Sequence, residues 1–132
     1  MSSVVIVEGD RQSGKTETLL ALSVEKASKG YKILYVTVNQ AVASNTLERA
    51  IVMNGHTSTS KRTRGSEQLL FPSGGVVWFL SAASVKLDQY AANMVVLDDY
   101  DSYRHPDRVL ELVNAGSPGS RYYRTRTTGE YS

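Results

Sequence analysis

The 132-residue chain has the size of one domain with a real hydrophobic core. A hydrophobic fraction of 41% and a charged fraction of 21% exclude wholesale disorder, and the absence of cysteine excludes disulfides, thiolate metal sites and cysteine nucleophiles. The net charge of +2 does not by itself imply nucleic acid, although nine of the fifteen basic residues are arginine and several cluster late in the chain.

The first apolar run, Val4-Val5-Ile6-Val7, predicts a buried strand over Val4–Glu8. It is too short for the apolar core of a signal peptide, and no run approaches the length of a membrane span, so a cytoplasmic protein without membrane contact is expected. A helix over about Lys15–Lys29 follows, with Leu20, Val24 and Ala27 on one face and Gly30 at its left-handed C-cap. Lys32–Val38, rich in β-branched and aromatic residues, predicts the second strand. A second helix is expected from about Ala41 to Met53, with Leu47, Ala50 and Ile51 facing inward.

His56–Ser66 is polar and basic and reads as an exposed loop. Gly74 and Gly75 introduce a third strand, Val76–Ser81, and a polar stretch leads to a fourth, Met94–Leu97, which ends in Asp98-Asp99. A short amphipathic helix is expected after Pro106, using Val109, Leu110 and Val113, before a turn at Gly116–Gly119. Residues 121–132 read as a basic, aromatic tail or an edge strand beside a core of residues 1–120. Alternation of strands and helices indicates an α/β fold, a three-layer sandwich around a mostly parallel sheet.

The segment joining the first strand and helix reads Gly9-Asp10-Arg11-Gln12-Ser13-Gly14-Lys15-Thr16, a complete G-x-x-x-x-G-K-[ST] phosphate-binding loop. By chance the pattern arises in roughly one chain of this length in a few hundred, and the flanking strand and helix make it rarer still. The glycines let successive N–H groups point into one concavity, and the helix N-terminus favours an anion there. Lys15 then reaches the β- and γ-phosphates of ATP, and the Thr16 hydroxyl holds Mg²⁺. The nucleotide-binding set comprises Gly9 to Thr16 together with Glu17.

Met94–Leu97 followed by Asp98-Asp99 has the form of a Walker B segment, with Asp98 as metal carboxylate and Asp99 as the residue that polarises the attacking water. Lys15 and Asp99 are the catalytic candidates of these two motifs. The metal set is Thr16 and Asp98.

With its Arg11-Gln12 pair, the loop resembles that of the large terminase subunits, the DNA-packaging motors of tailed bacterial viruses. Lys32–Gln40 is similar to the second strand of terminases and superfamily 2 helicases, whose carboxyl end approaches DNA. Gly75–Ser81 resembles the strand before Walker B, and Ala115-Gly116-Ser117-Pro118-Gly119 is similar to the turn that senses nucleotide state. The resemblance implies a minimal RecA-type ATPase core from a phage or mobile element, with Arg11 acting in cis on the γ-phosphate. The chain departs from the family where Asp99 stands in place of the usual Glu.

Arg121-Tyr122-Tyr123-Arg124-Thr125-Arg126 interleaves cations with aromatics, which suits either a grip on DNA or a charged edge strand that deters aggregation. Arg124 and Arg126 are also candidates for an arginine offered to a neighbouring subunit's nucleotide, in a homo-oligomer or larger motor complex. Lys61, Arg62 and Arg64 read mainly as solvated charge, with DNA contact as the other reading. Trp78 is expected in the core, Tyr100 and Tyr103 as loop anchors, with packing over the nucleotide as their other reading, and His56 and His105 at the surface. Three functions follow: an ATP-hydrolysing protein of DNA transactions, a non-hydrolysing nucleotide-dependent switch or accessory subunit, and a small-molecule kinase using Arg121–Arg126 as a lid.

Overall fold

A computed structural model describes residues 4–9, 15–54, 59–61, 67–84, 92–98, 103–105, 107–109, 111 and 121–127. Its elements are β1 (Val4–Gly9), α1 (Lys15–Ser28), β2 (Lys32–Thr37), α2 (Gln40–Asn54), β3 (Thr59–Lys61), β4 (Glu67–Leu70), β5 (Val76–Ser81), β6 (Met94–Leu97) and β7 (Arg121–Thr127). A 3₁₀ turn covers Ala82–Ser84.

The strands form one sheet in the order β1-β7-β6-β2-β5-β4-β3. The first five in that order are mutually parallel, and β4 and β3 continue antiparallel from β5. The α/β class and the mostly parallel sheet are therefore as the alternating pattern indicates. Because the five parallel strands point one way, their carboxyl ends share one edge of the sheet, where ligands of such folds bind.

Side chains alternate across this sheet, and two apolar clusters result. Ile33, Tyr35, Val77, Phe79, Met94 and Val96 pack against Leu19, Leu20, Val24 and Ala27 of α1 and Ala43, Leu47 and Ala50 of α2. On the other face, Leu34, Val36, Leu80, Val95 and Leu97 pack with Ala92, Tyr103 and Val109, and Trp78 lies half-buried against them. Every inward position expected for the two helices is thus in the first cluster or, for Ile51, packed on it.

Local chemistry sets the helix ends. Gly30, at φ +101°, closes α1 with two bonds of a Schellman motif: Gly30 N–H donates to the Ala27 carbonyl at 2.9 Å and Tyr31 N–H to that of Lys26 at 3.1 Å. At the start of α2, Asn39 Oδ1 accepts the Val42 N–H at 2.9 Å, a side-chain cap that extends the helix to Gln40. Gly75 lies so close to α1 that a Cβ there would overlap the Ala27 carbonyl.

Two expectations are corrected. The polar segment His56–Ser66 is not wholly loop, because Thr59–Lys61 pairs with Glu67–Leu70 in a hairpin that extends the sheet beyond β5. Its anchor is Glu67, a buried carboxylate that accepts from Gln40 Nε2 at 2.8 Å and Ser44 Oγ at 2.7 Å, joining β4 to the first turns of α2.

The second correction concerns residues 121–127, which are neither a tail nor an edge strand. β7 lies between β1 and β6 and is bonded on both sides. Alternation of Arg, Tyr and Thr has the appearance of an edge, but β1 and β6 would otherwise each present an unpaired row of backbone groups, and β7 satisfies both.

Candidate nucleotide site at the carboxyl edge

Two features of the sequence converge on one edge of the sheet. β1 ends at Gly9, where the phosphate-loop pattern starts, and α1 begins at Lys15-Thr16, where the pattern ends. The loop interior, Asp10 to Gly14 with Arg11, Gln12 and Ser13, lies outside the described residues. β6 ends at Leu97, so Asp98 also stands at the carboxyl edge, two strands from β1 and thus roughly 10 Å away across the sheet.

Strand alternation decides which face Asp98 uses. Met94 and Val96 point toward α1 and α2, whereas Val95 and Leu97 point to the opposite cluster. Asp98 continues the first series: its Oδ2 accepts from the hydroxyl of Tyr35, another residue of the α1 face, at 2.8 Å. Its N–H donates to the Val36 carbonyl at 3.0 Å, which carries the β2–β6 ladder one residue past the strand. Asp98 is 4% exposed and Tyr35 is fully buried.

A tyrosine this deep requires a hydrogen-bond partner, and Asp98 supplies it. Burial above all, then the charge and hydrogen bond of Asp98 and the neighbouring Tyr103, push the Tyr35 hydroxyl well above the ordinary phenol range. It therefore remains a donor, and the carboxylate is held in one orientation. The Tyr35 ring is itself fixed against Phe79, with centroids 5.5 Å apart. Sequence reasoning placed Asp98 but missed Tyr35. The available signal was a tyrosine at the centre of an apolar strand.

Magnesium suits this donor set, since it takes one or two carboxylates, keeps several waters and does not need a protein cage. Among the described residues no group of three or more His, Cys, Asp or Glu forms such a cage. Asp98 at the strand end and Thr16 in the first turn of α1 are the chain's candidates for holding the ion.

The remaining sequence candidates are distributed unevenly. Asp99 and Tyr100 lie outside the described residues, as do Arg62, Arg64, His56 and the turn at Ala115–Gly119. Glu17 forms an ion pair with Arg49 of α2 at the surface, so its carboxylate is engaged between the two helices. Lys61 is in β3, four strands from β6 and remote from the loop. Tyr103 is the expected loop anchor, with its buried hydroxyl donating to the Val36 carbonyl at 2.9 Å. Arg121, Arg124 and Arg126 are positions of the interior strand β7, in register with Met94, Leu97 and Glu8 respectively. That placement removes the kinase-type lid, because a lid cannot also be a central strand of the sheet.

No protein-family model matches the chain, and no curated protein matches it significantly. Solved structures do. The large terminase ATPase domain of Thermus phage P74-26, in an arginine-to-alanine variant, superposes with a TM-score of 0.63 at 14% identity, over 97% of this chain and 61% of that one. The ATPase domain of the same phage protein without that substitution gives a TM-score of 0.59 at 14% identity, over 96% and 60% of the respective chains. The chain has the fold of a large-terminase ATPase core. It spans about three-fifths of the length of those terminase domains. In this fold, the flanks of the phosphate-loop sequence, Gly9 and Lys15, stand with Asp98 at the carboxyl edge, and α1 and the Asp98 carboxylate are on the same face.

Proposed function

We propose that the protein binds ATP with Mg²⁺ at this edge and hydrolyses it in a DNA transaction. The observation that carries the reading is the buried Asp98 carboxylate, oriented by Tyr35, on the face and edge from which α1 begins. When bound, Mg²⁺ neutralises phosphate charge and orients the phosphate oxygens. Lys15 pairs with the β- and γ-phosphates, Thr16 and Asp98 hold the ion, and the backbone from Gly9 to Gly14 cradles the phosphates. Arg11 stabilises charge that develops on the γ-phosphate, and Asp99 receives hydrogen bonding from the attacking water.

ATP hydrolysis by the wild type and by Lys15→Ala, each with and without single- and double-stranded DNA, tests the reading. Turnover that depends on Lys15 and responds to DNA is expected; turnover untouched by Lys15→Ala would sink it.

One residue favours a second reading. Asp99, one methylene shorter than the usual Glu, leaves the carboxylate farther from a water in the same place. A nucleotide-dependent switch or accessory subunit that binds ATP with little turnover accounts for this. Tight ATP binding without hydrolysis, with or without DNA, supports that reading over the enzyme.

A further inference from the structure

A cavity of about 490 Å³ opens at the carboxyl edge on the other face of the sheet. Its floor and walls are Val38, just past β2, Ala82 and Ala83, just past β5, and Val109. Its rim carries Arg104, His105 and Arg108. Val38 and Ala82 pack with the cluster of Leu34, Val36 and Leu97, so this opening is separated from α1 and Asp98 by the thickness of the sheet.

The segment bearing the cations is anchored. Tyr103 and Val109 are buried at its two ends, the Tyr103 hydroxyl bonds to the Val36 carbonyl, and Val109 N–H donates to the His105 carbonyl at 3.2 Å. Between these anchors Arg104, His105 and Arg108 are exposed. The ion pairs among the described residues involve Lys29 with Glu25 and Arg49 with Glu17, and neither Arg104 nor Arg108 takes part in one. Asp107 and Glu111, also on this segment, do not line the cavity. Among the described residues, the lining therefore offers two guanidinium groups and an imidazole, with no carboxylate beside them.

We propose that this groove binds the phosphodiester backbone of a nucleic acid, with Arg104 and Arg108 on its phosphates and the apolar floor of Val38, Ala82 and Val109 against sugar and base. Guanidinium forks match phosphate oxygens two at a time, and they lose little entropy when their segment is already fixed. The volume suits a nucleotide-sized part of a strand, and the carboxyl edge of a parallel sheet is where such crevices form. The groove deepens the DNA part of the proposed function, but it lies on the opposite face from the ATP site and needs no turnover to be tested.

Fluorescence anisotropy with labelled single-stranded and double-stranded oligonucleotides tests it, with ATP binding measured in parallel on the same preparations. Arg104→Ala/Arg108→Ala is expected to weaken binding at least about tenfold and to flatten its salt dependence by about two phosphate contacts, while ATP binding and melting temperature hold. Arg108→Glu, a single change at an exposed position, is expected to weaken binding further than Arg108→Ala. The preferred form, single or double strand, is read from the two arms. Equal binding by the wild type and the double variant would overturn the groove, as would absence of binding to either oligonucleotide. Competition by a polyglutamate peptide as effective as that by the oligonucleotide would overturn it in favour of an acidic protein partner. Loss of ATP binding in the wild type would instead count against the nucleotide site and leave the groove's own result readable.

Discussion

Tyr35 Oη lies 2.8 Å from Asp98 Oδ2, so a fully buried side chain on one strand holds the strand-end carboxylate of its neighbour. Tyr35→Phe keeps the ring against Phe79 and removes only the hydroxyl. At neutral pH it is expected to cost about 1 kcal/mol of stability. The wild type carries an additional alkaline dependence, because the folded state raises the Tyr35 pKa. Above about pH 10 the unfolded chain releases this proton while the folded chain retains it, so stability falls as pH rises. Urea unfolding of both proteins from neutral to alkaline pH should show the gap between them narrowing. A constant gap contradicts the assignment.

Asp98→Asn separates structure from metal chemistry. The amide oxygen still accepts from Tyr35, so the fold is expected to survive with little change in melting temperature. A neutral side chain no longer supports the ion, and Mg²⁺-dependent ATP turnover should drop about 100-fold or more. Wild-type turnover and Mg²⁺ dependence in this variant exclude Asp98 from the metal site.

The interior position of β7 is testable with one proline. Tyr123 pairs with Val5 on one side and Val96 on the other. An edge strand tolerates proline when the missing N–H faces solvent, whereas a central strand loses a ladder bond and becomes distorted. Tyr123→Pro is expected to destabilise the domain by about 3 kcal/mol or more, measured by chemical denaturation. A loss under 1 kcal/mol on the order of other surface changes would return this segment to the edge.

At Gly75 the constraint is steric. Any side chain meets the Ala27 backbone at the end of α1, and backbone cannot swing aside as a flexible side chain does. Gly75→Ala should cost about 1–3 kcal/mol, whereas Gly74→Ala tests only a φ of +93° with no atom nearby. Thermal melts of the two variants distinguish close approach from backbone conformation. Equal, small effects would remove the case for tight α1–β5 packing.

The parts of the fold that were readable along the chain are those governed by local rules. α1 and β5 stand where periodicity placed them, Gly30 ends the first helix by left-handed geometry, and Asn39 shows how a cap shifts a helix start by one residue. Glu67 was not readable: an isolated carboxylate in a polar stretch gives no sign that Gln40 and Ser44 will reach it from α2. Nor was the cavity beside Arg104 and Arg108, whose walls come from three separate segments.

The sequence alone determined the phosphate-loop pattern, the strand ending in Asp98 and the alternation that makes an α/β protein, because each depends on residues close together in the chain. Tertiary structure decided the partners. It placed Tyr35 beneath Asp98, 63 residues apart, and set β7 between β1 and β6 despite its edge-like alternation. The physical reason is that burial and strand pairing are properties of neighbours in space: a buried hydroxyl or an unpaired backbone must be satisfied, but local sequence does not say which distant group will do it.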